Sequence, residues 1–219
     1  MTAPPATLIV IAKEPRPGRV KTRLCPPCTP EQAADLAAAA LSDTLMAVAT
    51  TPANRRILAL DGTAGPWLPD GFDVVPQCGG ALGERLSDAF SHADGPALLV
   101  GMDTPQIDPP LLSEALGRLC EPAGTAPDAV LGRALDGGWW ALGLRRPDLP
   151  VFDGVPMSTD HTYPDQVRRF EELGLRHGDL PSLMDVDTFD DATAVAATAP
   201  GTAFAGAVAK VAALLESTP

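Results

Sequence analysis

Residues 7–24, TLIVIAKEPRPGRVKTRL, join a short apolar run to a dense basic loop. Thr7 to Ile11 reads as a buried parallel strand: it is apolar and β-branched rather than alternating, and turn chemistry follows at once. The loop carries Lys13, Arg16, Arg19, Lys21 and Arg23, five of the 16 Lys and Arg residues in a chain of formal net charge -12. In an α/β chain, a Gly- and Pro-constrained loop leaving the carboxyl end of the first strand is where phosphates bind, because ligands collect outside the strand ends. That position, and the contrast with an acidic background, favour an anionic ligand over a merely solvated loop.

A length of 219 residues suggests one domain, spanning 1–219, with enough mass to bury a core. The acidic balance argues against general affinity for nucleic acid or anionic membranes. No run is read as a bilayer span of about 20 apolar residues, and the N-terminus shows neither a basic region nor a sustained apolar one. The expectation is a cytoplasmic protein with no membrane partner. Cys25-Pro26-Pro27-Cys28 has redox-motif spacing, but it follows a basic loop, and Cys78 and Cys120 supply no second pair. The preferred reading is small apolar residues at a turn.

Strand and helix patterns then alternate. Thr29-Pro30-Glu31-Gln32 has the form of a capping box with Pro at the first helical position, opening a helix whose apolar face is Ala34, Leu41, Leu45 and Val48. Arg56–Leu60 and Phe72–Pro76 read as strands. Gly79 to Leu86 opens a helix with Leu82, Leu86 and Phe90 on one face. Ala97–Met102 is the most strand-like run, and Asp108-Pro109-Pro110 starts the next helix. Asp128–Gly132 is a strand. The Asp136-Gly137-Gly138 turn before an aromatic strand fits a hairpin, and equally a carboxylate and two indoles flooring an acceptor site. Met157 to Asp160 offers caps for a helix through Phe170, a strand is expected at Leu175–His177, Thr188 with Asp191 forms another capping box, and Thr202–Leu215 closes the chain as a packing helix. Alternating elements make the class α/β, with a mostly parallel, doubly wound sheet flanked by helices.

Asp103, at the end of a buried strand, is costly to desolvate unless it is hydrogen-bonded or meets a cation, so it is the best metal-ligand candidate; capping the next turn is the alternative. Asp185 and Asp187, two apart in an extended segment, are further candidate ligands. Carboxylates with Mg2+ or Mn2+ facing Lys and Arg are the equipment for handling a di- or triphosphate.

The segments AKEPRPGRVKTRL (12–24), QCGGALGERL (77–86), GMDTPQ (101–106), LDGGWWALGL (135–144), GVPMST (154–159) and DVDT (185–188) together resemble the bacterial glycosyltransferase-A-like transferases associated with radical-SAM/selenodomain gene sets, over nearly the whole chain. The resemblance implies the GT-A, nucleotide-diphospho-sugar transferase fold, a divalent metal, a nucleotide or nucleotide-sugar donor and a small acceptor. It implies that Lys13, Arg16, Arg19, Lys21 and Arg23 face the nucleotide phosphates, with Lys21 and Arg23 taking part in catalysis. Gly83, Glu84 and Arg85 would then lie by the nucleotide, and Asp136, Gly137, Trp139, Ser158 and Thr159 by the acceptor. Asp103 would hold the metal with Asp187. Glycosyltransferases of this fold usually carry Asp-x-Asp at the metal strand, whereas here Pro105 takes the second place. Asp-x-Pro, with KTRL and DVDT, is similar instead to the phosphoenolpyruvate/2-phospholactate guanylyltransferases of the same superfold. Glycosyl transfer, nucleotidyl transfer and, third, a non-catalytic nucleotide-binding role therefore stand as the readings.

Overall fold

The computed structural model describes residues 6–122 and 124–217. Its centre is a seven-stranded sheet of β1 (Thr7–Lys13), β2 (Arg55–Asp61), β3 (Asp73–Pro76), β4 (Ala97–Val100), β5 (Ala129–Ala134), β6 (Trp139–Leu144) and β7 (His177–Leu183), in the spatial order β3-β2-β1-β4-β6-β5-β7. All pairings are parallel except those of β6, which runs antiparallel to β4 and to β5. The hairpin reading of Asp-Gly-Gly thus holds: Ala134 N–H donates to the Gly138 carbonyl at 2.9 Å and Gly137 N–H to the Ala134 carbonyl at 3.2 Å. Strand order reverses between β1 and β4, and in open α/β sheets ligands bind at that switch point.

Four helices, α1 (Pro30–Thr50), α2 (Leu82–Ser91), α3 (Pro109–Leu119) and α4 (Thr162–Glu172), cover the sheet, and α5 (Phe189–Thr198) and α6 (Ala203–Glu216) pack on the outer side of α1. The strands alternate between two cores. Leu8, Val10, Leu58 and Leu60 pack with α1 and α3. Ile9, Ile57, Ala97 and Leu99 pack with α2, Phe152 and α4. Apolar side chains on both faces are what a doubly covered sheet requires.

Both expected capping boxes are present, Thr29 with Gln32 opening α1 and Thr188 with Asp191 opening α5. Helix α1 differs from expectation by burying a second side: Ala33, Leu36 and Ala40 pack with Val195, Phe204 and Val208 in a third core against α5 and α6. Its 21 residues, with mean hydropathy 1.3 over the most apolar window, also reach the length and composition of a bilayer span, correcting the expectation that no run does. More than half of that window is packed inside the protein, so a core helix accounts for it.

Several boundaries move. Strand β1 runs on to Lys13 rather than ending at Ile11, and β5 spans Ala129–Ala134 rather than Asp128–Gly132. Strand β4 ends at Val100 rather than Met102, and Gly101 N–H turns to the Trp140 carbonyl of β6. Strand β7 starts where the expected one ended, at His177, and runs to Leu183 on the sheet edge; only Leu180 in it is buried, so it carries no period-2 signal. Helix α4 begins after His161, with no side-chain cap among the candidates at 157–160.

Asp43, on α1, accepts the N–H groups of Ala203 and Phe204 at 3.0 and 2.8 Å, satisfying the open N-terminus of α6. Asp43→Ala is expected to cost about 1 kcal/mol, lowering the melting temperature by roughly 2–4 °C for a chain of this size, measurable by calorimetry.

Candidate functional site

The loop after β1, the end of β4, the β5–β6 turn, residues 157–160 and the segment before α5 converge on one cleft of about 640 Å³ at the strand-order switch. Its walls are of opposite charge. Lys13, Arg19 and Arg85 line it without an ion-pair partner among the described residues, while Asp103, Asp136, Asp185 and Asp187 bring carboxylates to the same space.

Two loop cations bridge the walls. Lys21, whose side chain is 8% exposed, places Nζ 2.9 Å from Asp103 Oδ1 and also donates to the Val186 carbonyl. Arg23 Nη1 lies 2.9 Å from Asp187 Oδ2 in a far more exposed pair. The same two carboxylates that the sequence marks as metal ligands are therefore held by the cations that it marks for phosphate. Thr22–Leu24 forms a single 3₁₀ turn that presents Arg23, and Lys21 precedes it in a left-handed conformation, φ 49°. Ser158, φ 61°, is the other non-glycine residue with positive φ among the described residues, and it also lines the cleft. Such conformations cost of order 1 kcal/mol or more and concentrate at functional sites.

The acceptor-side residues are built on a close approach. Gly137 has φ +95°, and a Cβ there would lie 1.9 Å from the Asp160 carbonyl oxygen, so only glycine lets the β5–β6 turn meet the 157–160 loop. The Gly137 carbonyl accepts the Tyr163 N–H at 2.8 Å, and Asp136 Oδ1 accepts the Gly138 N–H at 2.8 Å. Trp139 stacks on Phe152 with ring centroids 6.3 Å apart. Asp136, Trp139, Ser158 and Thr159 line the cleft together.

Other expected residues lie elsewhere. Arg16 points away from the cleft lining and pairs with Glu14 at 2.7 Å; that guanidinium holds the Glu14 carboxyl below its ordinary range. Glu84 caps its own helix by accepting the Ala81 N–H at 2.6 Å, and with Gly83 it lines an adjoining hollow rather than the cleft. Gly137 shapes the turn from behind the lining. Conversely, Gln77 and Asp160 line the cleft and were not singled out from sequence. For Gln77 the available signal was a polar residue at a strand end.

Asp185 is the least comfortable carboxylate in the site. Its Oδ1 is buried without a hydrogen-bond partner. Burial first, then the charges of Asp103 and Asp136, push its pKa from 3.8 up to about 7, with Lys21 opposing the rise. A buried unpaired polar atom calls for an explanation, and a bound ion or water is one that fits a carboxylate oxygen in an open cleft.

Residues 33–159, more than half of the chain, match the family described as "Uncharacterized protein conserved in bacteria (DUF2064)". The chain belongs to the DUF2064 family. The matched span of this DUF2064 chain includes Asp103, Asp136 and Ser158, and lies between the basic loop and the Asp185–Asp187 segment. Among solved structures, a protein from Desulfovibrio desulfuricans G20 provisionally described as a nucleotide-diphospho-sugar transferase is 26% identical, with a TM-score of 0.83 over 96% of each chain. A nucleotidyl transferase from Methanothermobacter thermautotrophicus is 15% identical, TM-score 0.57, covering 87% of this chain and 95% of that one. The manganese complex of Rv0371c from Mycobacterium tuberculosis H37Rv is 22% identical, TM-score 0.50, covering 89% and 98%. The latter two share the fold. No curated protein matches the sequence.

Folded Asp185 binds its proton more tightly than the unfolded chain does, so its contribution to stability is full below about pH 4 and is lost as pH rises through about 7. Asp185→Asn is therefore expected to raise the melting temperature of the metal-free protein at pH 8, with the gain shrinking toward pH 5. An equal shift at both pH values would contradict this account of Asp185.

Proposed function

We propose that this DUF2064 chain is a metal-assisted transferase that takes its group from a nucleotide-activated donor, with glycosyl transfer from a nucleotide-diphospho-sugar as the leading reading. The observation that carries it is the division of one cleft, at the strand-order switch, into a cationic wall of Lys13, Arg19 and Arg85 and an acidic wall around Asp103. The described relative with 26% identity over both chains supports the sugar-donor form.

Mg2+ or Mn2+ suits the donor set: hard carboxylate oxygens at Asp103 and Asp187, with the orphaned Asp185 Oδ1 beside them. Among the described residues no three His, Cys, Asp or Glu side chains already form a metal cage, so donor phosphates and water would complete the shell. When bound, the cation would neutralise charge on the departing phosphate. Lys13, Arg19 and Arg85 hold the phosphates. With a cation held by Asp103 and Asp187, Lys21 and Arg23 would be free to face the leaving group. Asp136, Trp139, Ser158 and Thr159 seat the acceptor, Trp139 providing an apolar floor backed by the buried Phe152. In glycosyl transfer the acceptor hydroxyl oxygen attacks the anomeric carbon and the bond from that carbon to the donor phosphate oxygen breaks. The nucleoside diphosphate leaves with the electron pair, and the hydroxyl proton is lost to water.

A second reading, nucleotidyl transfer, is favoured by Pro105 standing where a second Asp would be and by four loop cations, Lys13, Arg19, Lys21 and Arg23, in the cleft lining. Here a phosphate oxygen of the acceptor attacks the α-phosphorus of a nucleoside triphosphate, the α–β bridging bond breaks and pyrophosphate leaves.

The test incubates pure protein and Mg2+ or Mn2+ with panels of nucleotide-sugars and of nucleoside triphosphates, each with small acceptors. Nucleoside diphosphate released from a nucleotide-sugar is the expected result. Pyrophosphate released from a triphosphate with a phosphorylated acid would replace the glycosyl reading by the nucleotidyl one, and release in neither panel would count against both. Asp103→Asn is expected to lower turnover about 100-fold or more with a smaller loss of stability, because Asn still offers Lys21 an oxygen though not a counter-charge. Full activity in that variant would remove Asp103 from the site.

A further inference from the structure

Gln77 is a side chain in the cleft that none of the roles above uses. It follows β3, where its own N–H donates to the Leu60 carbonyl at 3.1 Å. Its Nε2 donates to two strand carbonyls at once, Ala12 at 2.8 Å and Ala59 at 3.0 Å, clamping the ends of β1 and β2. This fixes the amide orientation, since a flipped amide would set an oxygen against two carbonyl oxygens. Oε1 is thereby turned outward, and there it accepts from Arg85 Nη1 at 3.1 Å.

Arg85 depends on that contact. It stands one turn into α2, its Nε is buried without a partner, and among the described residues it forms no ion pair. A free guanidinium has about 2 kcal/mol of rotamer entropy to lose on being fixed. Fastened by Nη1 to a side chain that is itself bonded to the carbonyl of Ala12, next to Lys13, the guanidinium is kept at the Lys13 end of the cleft with its Nη2 end available. We infer that Gln77 is a positioning residue, which aims Arg85 at the diphosphate of the donor.

This rests on the nucleotide-donor reading above, and diphosphate is the group common to both of its forms, so inorganic pyrophosphate is the probe. Its dissociation constant is measured by titration calorimetry in metal-free buffer for wild type, Gln77→Leu, Arg85→Ala and the double variant, with melting temperatures taken alongside. Gln77→Leu is expected to weaken binding about tenfold, ~1.4 kcal/mol, Arg85→Ala at least as much, and the double variant no more than Arg85→Ala alone, since Gln77 acts through Arg85. A general structural role of the strand-end clamp would instead make the two losses additive. Additive losses, or a Gln77→Leu constant equal to wild type, would overturn the inference while leaving the nucleotide reading standing. Absence of pyrophosphate binding by the wild type, both in metal-free buffer and with Mg2+ added, would overturn both. If Gln77→Leu melts well below wild type, Gln77→Met, which matches the glutamine volume, takes its place in the same cycle with the same expected outcomes.

Discussion

Lys21 bonded to Asp103 and to the Val186 carbonyl is the contact on which the site depends. It draws together the loop after β1, the end of β4 and the segment before α5, which are far apart in sequence. A nearly buried ammonium is costly unless paired and hydrogen-bonded, and here both conditions are met. The left-handed backbone at Lys21 is what lets the loop turn inward to make the contact. Arg23–Asp187 repeats the arrangement nearer solvent, where screening makes it the weaker of the two.

These pairs give the cleft a particular chemical state. Lys21 and Arg23 are neutralised by Asp103 and Asp187, while Lys13, Arg19 and Arg85 line the cleft without an ion-pair partner among the described residues. In the proposed reading, exchanging partners would replace each internal pair by a metal–carboxylate and a cation–phosphate contact, so that metal and donor would support each other's binding. The buried, unpartnered Asp185 oxygen adds to the pull on a cation.

Much of this was readable in the chain because it is local. The capping boxes at Thr29 and Thr188 and the apolar strands at Thr7, Arg56 and Ala97 are set by neighbours a few residues away, and the structure has them. Asp103 and the basic loop were legible because charge at a strand end is costly and therefore conspicuous. What escaped depends on distant partners. Strand β7, HGDLPSL, is an edge strand with one buried residue, and an edge tolerates Pro181; its pairing with β5 leaves no alternating pattern. The second buried side of α1 is mostly alanine, which fits a helix interface and an ordinary helix surface alike. The diversion of Glu84 to its own helix start and of Arg16 to Glu14 was likewise beyond motif reading, since the motif gives the residue and not its partner. Gln77 has meaning only once the carbonyls of Ala12 and Ala59 lie beside it.

The central claim is that the acidic wall takes a divalent metal in concert with a phosphate donor on the cationic wall. Its most direct test is the Mn2+ affinity of wild type and Asp103→Asn, measured by electron paramagnetic resonance titration with and without a non-hydrolysable nucleoside triphosphate, allowing for Mn2+ bound by the free nucleotide. The account predicts weak binding of Mn2+ alone, clear tightening in the ternary complex, and loss of that tightening in Asp103→Asn. Mn2+ affinity that is unaltered by the nucleotide, or by the substitution at Asp103, would contradict it.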